Sequence, residues 1–211
     1  IASKHVRRRL FRLRARCAIG EAQFFGLLAE IIIGRFPRFA SGVEAVVRTE
    51  RAGFPWHIIQ CGNNCAVCFH AEDDYRRYHE DLSKQASRFG CAIYAYVLMT
   101  NHVHLLLTLQ KTDSVGQMMK HLGQRYVLYV NRTYHRSGAL WERRFRSCLT
   151  QSEGYVLACY RHLELNPVRR HVRHPRDHRW SSFHADGDGK QDALVTPHAQ
   201  YLGLAQKESA R

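Results

Sequence analysis

No apolar run in this 211-residue chain reaches the ~18 residues that a membrane-crossing helix needs. The nearest, AQFFGLLAEIIIG (22–34), is broken by Glu30 and preceded by Glu21. The segment before it, KHVRRRLFRLRARC, has the charge of a leader, yet no clear small-residue cleavage site follows, so no signal peptide is expected. Acids are scarce too: 18 Asp and Glu stand against 32 Lys and Arg, a formal net charge of +14. A surplus of that size favours a polyanion partner such as nucleic acid. There is no internal repeat and no low-complexity tract. The seven cysteines are irregularly spaced, in a chain longer than disulfide-dependent domains usually are. Reduced thiols in a cytoplasmic protein are therefore expected.

What is present is enough for one domain with a proper core. Residues 1–50 differ from the rest. An arginine-rich run, a helix over about 20–34 and the linker GRFPRFASG make them a basic N-terminal extension to a domain over 51–206. From residue 52 the pattern becomes regular. FPWHIIQCG (54–62) reads as a strand ended by a turn, and AEDDYRRYHEDLSKQASRFG (71–90) as a helix opened by acids and closed by Lys, Arg and Gly. CAIYAYVLM (91–99) and HVHLLLTL (102–109) are two strands joined by a tight Thr-Asn connection. SVGQMMKHLGQRYVLYVNRTYHR (114–136) is a long helix, and GALWERRFRSCLTQ (138–151) a turn plus strand. SEGYVLACYRHLELNP (152–167) is a helix with Ser152 as N-cap and Pro167 where it must stop. The order β-α-β-β-α-β, then a helix, is an α+β, ferredoxin-like split βαβ arrangement.

The strand at 102–109 carries the first chemistry. With a period of two, His102, His104, Leu106 and Thr108 share one face, and Val103, Leu105, Leu107 and Leu109 the other, which reads as core. Two imidazoles on one face of a rigid strand are close enough to chelate a divalent cation; the plainer reading is a hydrogen-bonded pair at a strand edge. Further ligands must come from a facing element, and the 152–167 helix is the candidate. Tyr155, Cys159, His162 and Asn166 form one stripe on it. Tyr160 stands about 200° around the helix from His162, so the two cannot face one metal.

Phosphate contacts would come from arginine. Arg143, Arg144 and Arg146 surround the last strand, and Arg169, Arg170 and Arg173 follow the helix. Trp141, Phe145, Trp180 and Phe183 are candidates for stacking on unpaired bases, or simply core. A competing constellation is CGNNCAVCFH (61–70). Cys61, Cys65 and Cys68 have the spacing of an iron–sulfur cluster loop, and His70 would make a zinc set. On that reading the protein is an iron–sulfur or zinc enzyme.

Six stretches occur in one order: IIQCGNN (58–64), YVLMTNHVHLLLT (96–108), GALWERRFRS (138–147), ACYRHLELNPVR (158–169), WSSF (180–183) and LVTPHAQYLGL (194–204). Together they resemble the single-tyrosine HUH transposases, and more closely the REP-associated tyrosine transposases, over about residues 52–203. The resemblance implies a ferredoxin-like HUH domain in which His102 and His104 bind Mg²⁺ or Mn²⁺ and polarise a scissile phosphate of single-stranded DNA. It implies a tyrosine on the facing helix that attacks phosphorus, forming a 5′-phosphotyrosine link and freeing a 3′-OH. It also implies a third metal ligand one turn later, at Asn166, and hairpin-forming repeat DNA as partner. A monomer is favoured over a homodimer. The tyrosine belongs at 162, where relatives read RYIELNP and this chain reads RHLELNP. Three readings stay open: a cleavage-inactive DNA-binding relative, substitution by Tyr160 or Tyr155, or attack or base catalysis by His162 itself.

Overall fold

The computed structural model describes residues 52–150, 153–168 and 172–209. The expected N-terminal extension (1–50), its helix at 20–34 and the Ser152 cap lie outside them. The elements are β1 (Pro55–Cys61), α1 (Glu72–Phe89), β2 (Cys91–Met99), β3 (His102–Leu109), α2 (Ser114–Thr133), β4 (Arg146–Leu149), α3 (Glu153–Leu165), α4 (Phe183–Asp186) and α5 (Ala199–Ser209). The strands form one sheet in the order β2-β3-β1-β4, with every neighbouring pair antiparallel. That is the topology the element order predicts for a split βαβ fold.

Local chemistry explains the first crossover helix. Asp74, buried in the first turn of α1, accepts from the backbone N–H groups of His70 (2.7 Å) and Ala71 (3.0 Å), and from the Tyr129 and Tyr134 hydroxyls. One carboxylate thereby caps α1 and ties it to α2 and the turn behind it. Gly90 ends the helix at φ 63, ψ 44, and its N–H reaches back to Ala86 O.

The two faces of the sheet are different. Ile58, Leu98, Val103, Leu105, Leu107 and Leu109 join Tyr78, Leu82, Met118, Leu122 and Tyr126 of α1 and α2 in the main core. This is the apolar face expected of β3. The opposite face carries His57, Ile59, Val97, His102, His104 and Leu106, also buried, and α3 lies against β2 and β3 there. Beyond α3, the WSSF segment runs along the outer edge of β2. Trp180 O accepts from Leu98 N, and Ser182 N donates to Tyr96 O. An edge that would otherwise expose unpaired backbone groups is thereby covered.

Candidate active site

Register gathers the polar side chains of the α3-facing surface. His102 lies opposite Cys61 and Met99, and His104 opposite Ile59 and Val97. His57 pairs with Leu106, so it shares the face of His104 one step along the diagonal. Its Nε2 is 3.0 Å from His104 Nδ1, and the two rings stack with centroids 5.2 Å apart. His102 meets His104 edge to face at 5.0 Å. From α3, His162 sets its ring 5.5 Å from that of His104 and 6.0 Å from that of His57. One turn later, Asn166 Nδ2 is 3.4 Å from His104 Nε2. Four imidazoles and one carboxamide therefore form a single cluster, with His104 wholly buried and His102, the most accessible imidazole, at 7% exposure.

Burial sets the electrostatics. It lowers His57 to about 4, and it lowers His104 well below the ordinary imidazole value, helped by the surrounding imidazoles. Both rings are neutral at physiological pH, which is the form that ligates metal. Among the described residues, no group of three or more His, Cys, Asp or Glu is arranged to hold an ion. The donors do fit a divalent cation that takes two imidazole nitrogens, an amide oxygen from Asn166 once that amide is turned, and phosphate or water oxygens elsewhere.

The sequence-selected residues part company at Tyr160. His102, His104, His162 and Asn166 are together, but Tyr160 points the other way. Its hydroxyl accepts from His198 N at 3.2 Å and its ring stacks on Tyr201 at 5.1 Å. The helical phase that separates 160 from 162 by two residues accounts for this, and it removes Tyr160 as a catalytic candidate. Tyr155 remains on the stripe of His162, half-buried, its hydroxyl 3.4 Å from Cys148 Sγ. Burial raises the Tyr155 and Tyr160 phenols and the Cys159 thiol well above their usual values.

A family model described as "Transposase IS200 like" matches residues 52–162, more than half of the chain. The chain belongs to the IS200-like transposase family. The matched stretch spans the sheet, α1 and α2, and ends on His162. Among solved structures, the REP-associated tyrosine transposase bound to a REP hairpin is similar at 16% identity and a TM-score of 0.59, covering 74% of this chain and 99% of that one. A candidate transposase from Deinococcus radiodurans R1 is similar at 18% identity and a TM-score of 0.40, covering 54% of this chain and 88% of that one. No curated protein matches. The fold is thus that of the REP tyrosine transposase.

In this transposase-family chain the cysteines do not form the cluster their spacing suggested. Cys68 is buried in the main core with its Sγ near two backbone carbonyls, Cys65 is exposed, and Cys61 lies half-buried on the sheet. His70 packs on Tyr134 instead. The loop turns through left-handed Asn64 and Cys65, which aims the second thiol outward. The iron–sulfur or zinc reading is corrected on this geometry. The aromatic candidates are likewise occupied. Trp141 and Phe145 are core, Trp180 stacks on Tyr75 at 5.4 Å and donates to Glu72, and half-buried Phe183 packs on His174. Arg143, Arg144 and Arg173 are exposed; Arg146 is half-buried and faces the histidine side, opposite Ile59. Arg169 and Arg170 lie outside the described residues. Sequence reasoning missed His57. Its signal was the shared period-two face of HIIQC, visible only once β1 is paired with β3.

Proposed function

We propose that this protein is a metal-dependent DNA-binding member of its transposase family that lacks the attacking tyrosine. The single observation behind this reading is the contact of His162 with His104, with Asn166 one turn on, while Tyr160 packs against Tyr201. A histidine occupies the position from which relatives attack phosphorus.

In this reading Nε2 of His102, Nε2 of His104 and the amide oxygen of Asn166 would hold Mg²⁺ or Mn²⁺. The bound ion supplies Lewis-acid polarisation of a phosphate and a template for its oxygens. The chain's own side chains do the rest. Arg143, Arg144 and Arg173, with Arg146 nearer the cluster and Arg169 and Arg170 after α3, attract the DNA backbone. The +14 net charge supports such a partner. The similar structure carries a REP hairpin, which favours a hairpin with a single-stranded flank as the ligand here. The domain over 51–206 carries these functions, and residues 1–50 add positive charge for the same polyanion.

The test uses labelled hairpin DNA with a single-stranded flank, with and without Mn²⁺. The expected result is salt-sensitive binding with no protein–DNA adduct on a denaturing gel. Failure to bind even at low salt ends the nucleic-acid reading, and an adduct on wild-type protein ends the tyrosine-free one. One observation favours a second reading, in which cleavage survives through Tyr155. That phenol lies on the His162 stripe and touches Cys148, whose strand partner is His57. An adduct mapped to Tyr155 by mass spectrometry would select it.

A further inference from the structure

A neutral imidazole carries one proton, so it presents a lone pair on one nitrogen only. For each of His102 and His104 a neighbouring side chain decides which. Asn101 Nδ2 donates to Cys65 O at 3.2 Å, so its amide direction is fixed and Oδ1 faces His102 Nδ1 at 2.7 Å. An acceptor at that distance calls for a proton on His102 Nδ1 and leaves the lone pair on Nε2. For His104, the Asn166 amide donates toward Nε2. The proton is therefore on Nδ1, where His57 Nε2 accepts it at 3.0 Å. Both imidazoles are gripped from behind at Nδ1, and both offer Nε2.

These outer partners share a second property: neither is an anion. Metal-bound histidines are commonly backed by a carboxylate or a carbonyl. Here one is backed by a carboxamide and the other by a neutral imidazole. Among the described residues no Asp or Glu completes a three-ligand set with them. The groups acting electrostatically on His104 are His57, His102 and His162. A divalent cation placed there keeps both charges uncompensated by its two imidazoles, their partners and Asn166. A phosphate oxygen is what neutralises it.

Resting on the metal-dependent DNA reading above, we infer that His57 and Asn101 are positioning residues that lock both ligand imidazoles in the Nδ1–H tautomer within an uncharged cage. The site then binds its cation tightly only together with a DNA phosphate. Metal and DNA binding are thermodynamically coupled, and the coupling is reciprocal.

The experiment measures the Mn²⁺ dissociation constant by electron paramagnetic resonance, on the full chain, without DNA and with saturating hairpin DNA. At least about tenfold tighter Mn²⁺ binding with DNA is expected, within the usual range of coupling energies. Asn101→Asp, at a partly exposed position, adds an anion behind His102. It should tighten Mn²⁺ binding to the DNA-free protein and shrink the coupling. His57→Phe should weaken Mn²⁺ binding in both states, with partial rescue in His57→Gln, whose amide oxygen can accept from His104. Long-range ¹H–¹⁵N correlation spectra of the Mg²⁺-loaded protein should show both ligand histidines protonated at Nδ1. Equal Mn²⁺ affinity with and without DNA overturns the inference, as does a Nε2–H tautomer at His104. DNA binding measured alone separates that failure from failure of the functional reading.

Discussion

Gly62→Ala tests how the loop after β1 holds the histidine cluster. Gly62 has φ −64 and ψ 148, extended values that alanine adopts freely, so nothing in its backbone conformation demands glycine. Space demands it. A Cβ there would stand 2.3 Å from Ala66 O and 2.5 Å from Cys68 Sγ, with Asn101 O at 3.3 Å. Reaching even 3.0 Å requires the Ala66 carbonyl to retreat by about 0.7 Å, and Cys68 is buried in the core and cannot swing clear. The retreat strains Gly62 N→Asn101 O (2.8 Å), Cys65 N→Gly62 O (3.1 Å) and Cys68 N→Thr100 O (2.8 Å). Overpacking costs about 1–3 kcal/mol, and weakening one or two backbone bonds adds about 1 kcal/mol each. A loss of roughly 2–4 kcal/mol follows, or a Tm lower by roughly 5–15 °C for a chain of this size. Because Cys65 O orients Asn101, and Asn101 orients His102, Mn²⁺ affinity should fall as well. The control is Gly154→Ala in α3, where a Cβ meets nothing within 4 Å and where helix propensity alone predicts about 0.5–1 kcal/mol of stabilisation. Thermal unfolding of both variants decides the matter. A Gly62→Ala protein as stable as wild type would show that the close approach does not exist.

Other outcomes follow from the same geometry. Tyr160→Phe removes only the bond to His198 N, so it should cost about 1 kcal/mol and leave DNA binding and any strand cleavage unchanged. Asp186 is buried and pushed up to about 8, chiefly by desolvation. Between its unfolded value of 3.8 and its folded one, the folded protein keeps a proton that the unfolded chain has lost, so stability falls as pH rises. Buried His57 works in the opposite sense only below 6.5. Thermal scans from pH 6.5 to 8 should therefore show a steady loss of at most about 2 kcal/mol, and Asp186→Asn should flatten it. Arg143→Ala and Arg144→Ala, both at exposed positions, should weaken binding to all DNA sequences alike and reduce the salt slope by about 0.7–0.9 for each phosphate no longer neutralised.

Much of the fold was legible because its signals are local. The acids of Glu72 to Asp74 and the glycine at 90 frame α1, and Pro167 follows the end of α3. The His-x-His alternation assigned Val103, Leu105 and Leu107 to the core and the two histidines to the other face, as burial and register bear out. Helical phase likewise put His162 and Asn166 on one side and Tyr160 on the other. What the sequence hid is non-local. His57 reaches His104 across 47 residues of chain, a contact that exists only after β1 pairs with β3. The bond from Asn101 to Cys65 needs the loop's left-handed turn. The cysteine spacing misled for the same reason. Spacing permits a cluster, but the core claimed Cys68 and the turn expelled Cys65.

The central claim is that the HUH-type metal face is intact while the attacking residue is not a tyrosine. Its most direct test is a denaturing gel of His162→Tyr protein with Mn²⁺ and labelled hairpin DNA carrying a single-stranded flank. A covalent protein–DNA adduct is predicted for His162→Tyr, none for wild type, and none when His102→Ala is combined with His162→Tyr. An adduct in wild type would contradict the account, as would one in the double variant, or none in a folded, DNA-binding His162→Tyr protein.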